Sequence, residues 1–227
     1  MIINKKKIKI ALVSTIQPET HYTRYLADSL QIEFKKDLDL LLYVNKDPKN
    51  KKVFLKNIKL VWTKGFFYPL QILKQIFIDR PDIIHIQQEM NMYGGPITSI
   101  VFPLFIFLLF PIRAKTIVTF HAVVSPSEID LEFLRTFSWP EKRLFLWPIR
   151  FIFSYLYKIT GLFANGIIVH SEYSRNILIN NYRIKKNKII SIPIGVPKNK
   201  FENLEKTFLP KSIKKKIDNK KIILFFG

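Results

Sequence analysis

The sequence predicts an open α/β fold, a mostly parallel sheet with helices on both faces, and three observations carry that reading. Short β-branched runs alternate with longer stretches of helical periodicity along most of the chain. Several of those runs end abruptly in polar or small residues, as at Ser14-Thr15 and His121-Ala122, where a buried strand would emerge into a loop. Hydrophobic residues make up 48% of the 227, with 20 Phe among them, which supplies a packed core and excludes disorder for most of the chain.

Taken in order, Ile8 to Ser14 is the first strand. The Lys5-Lys6-Lys7 run before it leads into no long apolar region or small-residue cleavage site, so it does not read as a signal peptide. Tyr22, Tyr25, Leu26, Ser29 and Leu30 then fall on one helical face. Leu40 to Val44 and Ile58 to Trp62 read as strands two and three. A helix follows from about Pro69, with Leu70, Leu73, Ile76 and Phe77 at helical spacing and proline in its first turn. Asp82 to Ile86, Thr116 to Phe120, Gly166 to Val169 and Ile189 to Ile192 complete seven strands.

Two segments break the rhythm. Met90 to Ile112 holds no charged residue and has the length of a bilayer span. Gly94-Gly95-Pro96, Pro103 and the close flanking strands favour a buried helix from about Pro96 to Phe110 instead. Phe133 to Tyr157 interleaves Trp139, Phe145, Trp147, Phe151, Phe153 and Tyr155 with Arg135, Lys142, Arg143 and Arg150. That mixture suits either a membrane interface, where rings meet headgroups and cations meet anionic lipid, or a core helix with solvated basic positions. Beyond Pro197 a Lys- and Asn-rich stretch reads as a linker, followed by a last apolar strand. The expected organisation is one domain over 1–197, a basic linker over 198–220, and over 221–227 the first strand of a second domain.

A net charge of +20 asks for an anionic partner. Nucleic acid is not expected, since no helix-turn-helix, RNP or zinc-finger pattern accompanies the charge. An anionic membrane surface fits the aromatic content, giving a cytoplasmic protein held peripherally on the membrane face. The absence of cysteine excludes disulfides, thiolate metal sites and a cysteine nucleophile. No metal and no cofactor is expected.

Each of the four histidines falls at or near the carboxyl end of a strand reading, where open α/β sheets bind ligands. His21 lies after the first strand, His85 at the fourth, His121 after the fifth and His170 after the sixth. His121 opens the loop before Ser125-Pro126 and is the candidate catalytic group, able to donate to a phosphate or sugar hydroxyl or to move a proton. His21, His85, Gln87, Gly94, Gly95, His170 and Ser171 are the candidate substrate-binding residues. The two glycines would let backbone approach a ligand. Ser171 fits a helix N-cap, and free amides at that helix start could hold an anion. No G-x-G-x-x-G, G-x-x-x-x-G-K-[ST] or G-x-S-x-G occurs, so a complete nucleotide site is not expected within these residues.

In order, Asp82-Ile83-Ile84-His85-Ile86-Gln87, Thr116-Ile117-Val118-Thr119-Phe120-His121, Gly166-Ile167-Ile168-Val169-His170-Ser171-Glu172, Ile192-Pro193-Ile194-Gly195-Val196 and Ile222-Ile223-Leu224-Phe225-Phe226-Gly227 resemble the N-terminal half of the family 4 group of GT-B glycosyltransferases. The resemblance implies a Rossmann-like domain, the acceptor-side half of a GT-B fold. It implies transfer of a hexosyl group from a nucleotide-sugar donor to a lipid-linked or envelope glycan, with retention of configuration and no essential metal. His121 matches the family's strand-end histidine facing the donor sugar and phosphate. The family's donor-binding Arg/Lys and paired Glu belong to a second domain, so these residues alone are expected to be inactive, with a separate C-terminal domain as partner. The sequence departs from the family in the loop Gln17-Pro18-Glu19-Thr20-His21, which lacks glycine, and at Ile194, where a polar residue is common. The competing reading is a non-catalytic module that keeps the fold and binds a membrane surface or a partner.

Overall fold

The structure, a computed structural model, describes residues 7–15, 21–47, 57–95, 98–137 and 139–195. The loop over 17–20, the linker over 198–220 and the strand over 221–227 lie outside those residues. Contacts divide the chain into Met1–Ile194 and Gly195–Gly227, and the first unit carries the fold.

Seven strands form one sheet: β1 (Ile8–Val13), β2 (Leu38–Asn45), β3 (Ile58–Trp62), β4 (Ile83–Gln88), β5 (Lys115–Phe120), β6 (Gly166–Val169) and β7 (Ile189–Ser191). Their order is β3-β2-β1-β4-β5-β6-β7, with every neighbouring pair parallel. The helices are α1 (His21–Glu33), α2 (Tyr68–Asp79), α3 (Phe102–Leu109), α4 (Leu131–Thr136), α5 (Leu146–Phe163) and α6 (Glu172–Asn180). This is the Rossmann-like sheet expected of a GT-B N-terminal domain.

Alternation along the strands sorts the core into two clusters. Leu12, Leu40, Leu42 and Val44 face α1, against Ala27, Leu26 and Leu30. Ala11, Val13, Ile84, Ile86, Val118, Phe120, Ile167 and Val169 face the opposite way, beneath residues of α2, α3, α5 and α6. Chain direction explains the partition. Strands added leftward from β1 place their crossover helix on one face, and strands added rightward from β4 place theirs on the other, because such crossovers are right-handed.

Three sequence readings need correction. Ser29 of α1 is exposed, and the buried stripe runs through Thr23 and Ala27 instead. The expected helix over 96–110 is shorter: a 3-10 turn over Thr98–Val101 leads into α3, which has Pro103 in its first turn. Proline lacks an N–H and tolerates the first turn but not the interior, so the helix begins there. Among the described residues no helix is long and apolar enough to cross a membrane. Finally, β4 runs on through Gln88, so His85 lies inside the strand and not at its end.

Ties from side chain to backbone fix helix ends at both edges of the sheet. Asp130 caps α4 by accepting from Phe133 N at 2.8 Å. Lys188 Nζ donates to the carbonyls of Gly161, Leu162 and Ala164 at the end of α5, each at 2.9 Å, placing a cation where the helix dipole is negative.

Candidate functional site

The strand order reverses between β1 and β4, and open α/β sheets bind ligands outside the carboxyl ends of the strands at such a point. Polar residues collect there. Ser14, just past β1, pairs its Oγ with Thr23 Oγ1 at 2.6 Å and so ties the start of α1 to the sheet edge. Gln87 is the last residue but one of β4, His121 follows β5 and His170 follows β6.

Strand pairing explains why these groups meet. His85 lies opposite Ile117 and Gln87 opposite Thr119, so His85, Gln87, Thr119 and His121 share one face of adjacent strands. His121 Nε2 lies 2.7 Å from Gln87 Oε1. A carbonyl oxygen only accepts, so His121 donates from Nε2 and its neutral ring keeps Nδ1 as an acceptor. The Gln87 amide nitrogen, which can only donate, lies 3.1 Å from His85 Nε2, and the Thr119 hydroxyl lies 2.8 Å from the same nitrogen and shares it. The chain Thr119, His85, Gln87, His121 thus sets one tautomer at its half-buried outer end.

His170 joins from β6. Its ring centroid is 5.0 Å from that of His121, and Tyr22 stands edge-on to both, at 5.3 Å and 5.7 Å. His170 Nδ1 donates to the Ile192 carbonyl at 2.9 Å, which leaves Nε2 buried without a protein partner. Burial first, and the neighbouring His121 second, push the His85 imidazole down to about 4. Burial, with His170 adding to it, holds His121 at about 4 as well. Both rings are therefore neutral at pH 7.

The remaining candidate residues are placed as follows. His21 is the first residue of α1. Ser171 caps α6, with its Oγ accepting from Ser174 N at 3.1 Å and donating to Ser174 Oγ at 3.0 Å. That hydroxyl is occupied by capping. Gly94 and Gly95 hold φ of +127° and +120°, a backbone region that favours glycine. Their turn packs against the loop after β3, where Gly65 N donates to Tyr93 O at 3.0 Å. A Cβ on Gly94 would lie 3.0 Å from Gly65 N, so a packing reason for this glycine stands on its own. Among the described residues no group of three or more His, Cys, Asp or Glu could hold a metal ion. Sequence reasoning missed two cluster members, Thr119 and, over the rings, Tyr22. The Tyr22 ring reads as one more position on an amphipathic helix, and only the α1 packing angle brings it over the two histidines.

On the other face of the same edge lies a cavity of about 330 Å³. Gln88 and Ala122, the neighbours of Gln87 and His121 in sequence, line it, with Trp139, Ile149, Phe153 and Leu156 behind them.

Known proteins match this arrangement at two levels. The sheet superposes on Anabaena Alr3699/HepE in complex with UDP-glucose, with a TM-score of 0.50 and 13% identity, covering 83% of this chain and 44% of that one. The same protein in complex with UDP and glucose gives 0.49 and 14% over 83% and 45%. The chain thus spans less than half the length of those structures. No curated protein matches the chain. The model of Glycosyltransferase Family 4 matches residues 47–200, and the chain belongs to that family.

Proposed function

We propose that this chain is the acceptor-side half of a retaining glycosyltransferase, which transfers a hexosyl group from a nucleotide sugar to a lipid-linked or envelope glycan at the cytoplasmic face of a membrane. No metal or cofactor takes part in this reading. The observation that carries it is the hydrogen-bonded chain from Thr119 to His121, ending on a neutral imidazole at the sheet's carboxyl edge. A ring held near pKa 4 is a poor cation but a well-aimed neutral donor and acceptor. His121 is the proposed catalytic group: its Nδ1 would accept from a sugar hydroxyl while Gln87 holds its orientation. His170 Nε2, unpartnered and one ring away, would accept from a second hydroxyl. Preorganised polar groups of this kind stabilise developing charge at little reorganisation cost. The neighbour solved with UDP-glucose supports a nucleotide-sugar donor.

The test is transfer from radiolabelled nucleotide sugars to membrane-extracted acceptor, with the 227 residues alone and with the same residues joined to a donor-binding half. Turnover is expected only in the joined protein. Turnover by the 227 residues alone would overturn the assignment of the donor site to another domain, and no turnover by a folded joined protein with any hexose donor would overturn the activity.

A further inference from the structure

The apolar cavity beside the histidine edge is unused by the reading above. Its walls are Trp139, Phe145, Ile149, Ile152, Phe153 and Leu156, from α5 and the segment before it. Two of the few polar groups that border it are occupied. Ser99 Oγ donates to Met90 O at 2.9 Å and to Gly95 O at 3.1 Å, and Tyr157 Oη accepts from Val124 N at 3.2 Å. An interior like this cannot satisfy a sugar, a nucleotide or a phosphate, each of which loses water bonds on entry. It suits hydrocarbon. A pocket of this size lies at the small end of the range for ligand sites.

Polarity is arranged along the cavity. Gln88, Glu89 and Ala122 border it at the sheet edge, and His121 N donates to Gln88 O at 3.2 Å across that border. Next to the wall residues Pro140 and Phe145, the exposed Lys142 and Arg143 offer cations, while Leu144 and Trp147 are 66% and 73% exposed. Those charges complement an anionic headgroup layer from which an apolar chain would enter.

We infer that this cavity binds a single hydrocarbon chain of the membrane-borne acceptor, with the acceptor's polar end at the His121 edge. The identity of that polar end rests on the glycosyltransferase reading; the chain site rests on the cavity alone. The probe is a series of alkyl β-glucosides from hexyl to decyl, titrated by calorimetry below their micelle concentrations into the 227-residue chain, with no donor present. Binding at one site per chain should tighten about fourfold per methylene, as burial of each CH₂ dictates, with a negative heat-capacity change. Ala122→Leu and Ile152→Phe each fill the cavity, and each should weaken decyl glucoside at least tenfold, while Trp147→Ala, on the exposed surface, should leave it unchanged. Either filled variant suffices if the other misfolds by circular dichroism. Affinity that ignores chain length, or folded filled variants that bind decyl glucoside as tightly as the unaltered chain, would overturn the inference. Tight, chain-dependent binding in a chain whose joined form transfers no sugar supports the site and overturns only the activity.

Discussion

On one side of the β4–β5 edge, Gln87 and His121 are bound into a chain of hydrogen bonds; on the other, Gln88 and Ala122 border a cavity walled by aromatic and aliphatic side chains. The residues alternate in sequence, and strand pleating alone sends them to opposite faces. What differs is the physics of each environment. On the polar side, partners are specified atom by atom and burial shifts the imidazoles toward neutrality. On the apolar side, no atom is specified and only shape and volume are. The polar side should therefore respond to substitution through rate, and the apolar side through stability and chain affinity.

The largest expected effect lies on the apolar side. Phe153 is buried, with its ring 5.8 Å from Phe133 and 6.0 Å from Tyr157. Phe153→Ala should destabilise the chain by about 3 kcal/mol, the low end for such a truncation because part of the ring already faces a void. Urea unfolding read by circular dichroism checks it, and a cost below half that figure would mean the wall is loosely packed. The next effect lies on the polar side. In the joined enzyme His121→Ala should lower kcat roughly a hundredfold, as loss of a positioned donor or proton-transfer group does. Unchanged turnover would remove His121 from the chemistry whatever the fold.

Acid should separate the two sides again. His85 and His121 have folded pKa values near 4 against an ordinary 6.5, so the unfolded chain binds more protons between those values. Stability is then fully present above about pH 6.5 and falls as pH drops toward 4. Melting temperature should decline by several degrees from pH 7 to pH 5, and the decline should shrink in a His85→Gln/His121→Gln double variant. An equal decline in that variant would trace the acid sensitivity elsewhere.

The same contrast explains what the sequence made legible. β-branched runs located all seven strands, because buried parallel strands need little beyond apolar residues between polar ends. Strand ends were harder. Gln87 and Gln88 look like a loop because they are polar, yet they continue the ladder to Thr119 and Phe120. His121 was found by its place after a strand, and His85, Gln87 and His170 were singled out with it, but Tyr22 on α1 and Thr119 were not, since neither carries a local signal. The cavity had none either: Trp139, Ile149 and Phe153 read as ordinary core until α5 is set against the sheet.

The smallest effect tests the outer rim of the apolar side. Lys142 and Arg143 are exposed next to exposed Leu144 and Trp147. The chain carries +20, and near an anionic bilayer each such cation contributes about 1 kcal/mol, roughly fivefold in partitioning. Lys142→Gln and Arg143→Gln should therefore each reduce sedimentation with phosphatidylserine-containing vesicles by about that factor at low salt. The difference should fade as salt rises, because the Debye length falls to about 8 Å at physiological strength and about 3 Å at 1 M. A lysine of the opposite end, Lys7, supplies the control: Lys7→Gln removes the same charge far from these aromatic residues in sequence. If all three variants lose binding equally, attraction is set by net charge alone and this rim has no special orientation toward the membrane. If only Lys142→Gln and Arg143→Gln lose it, the surface that meets lipid is the one beside the cavity.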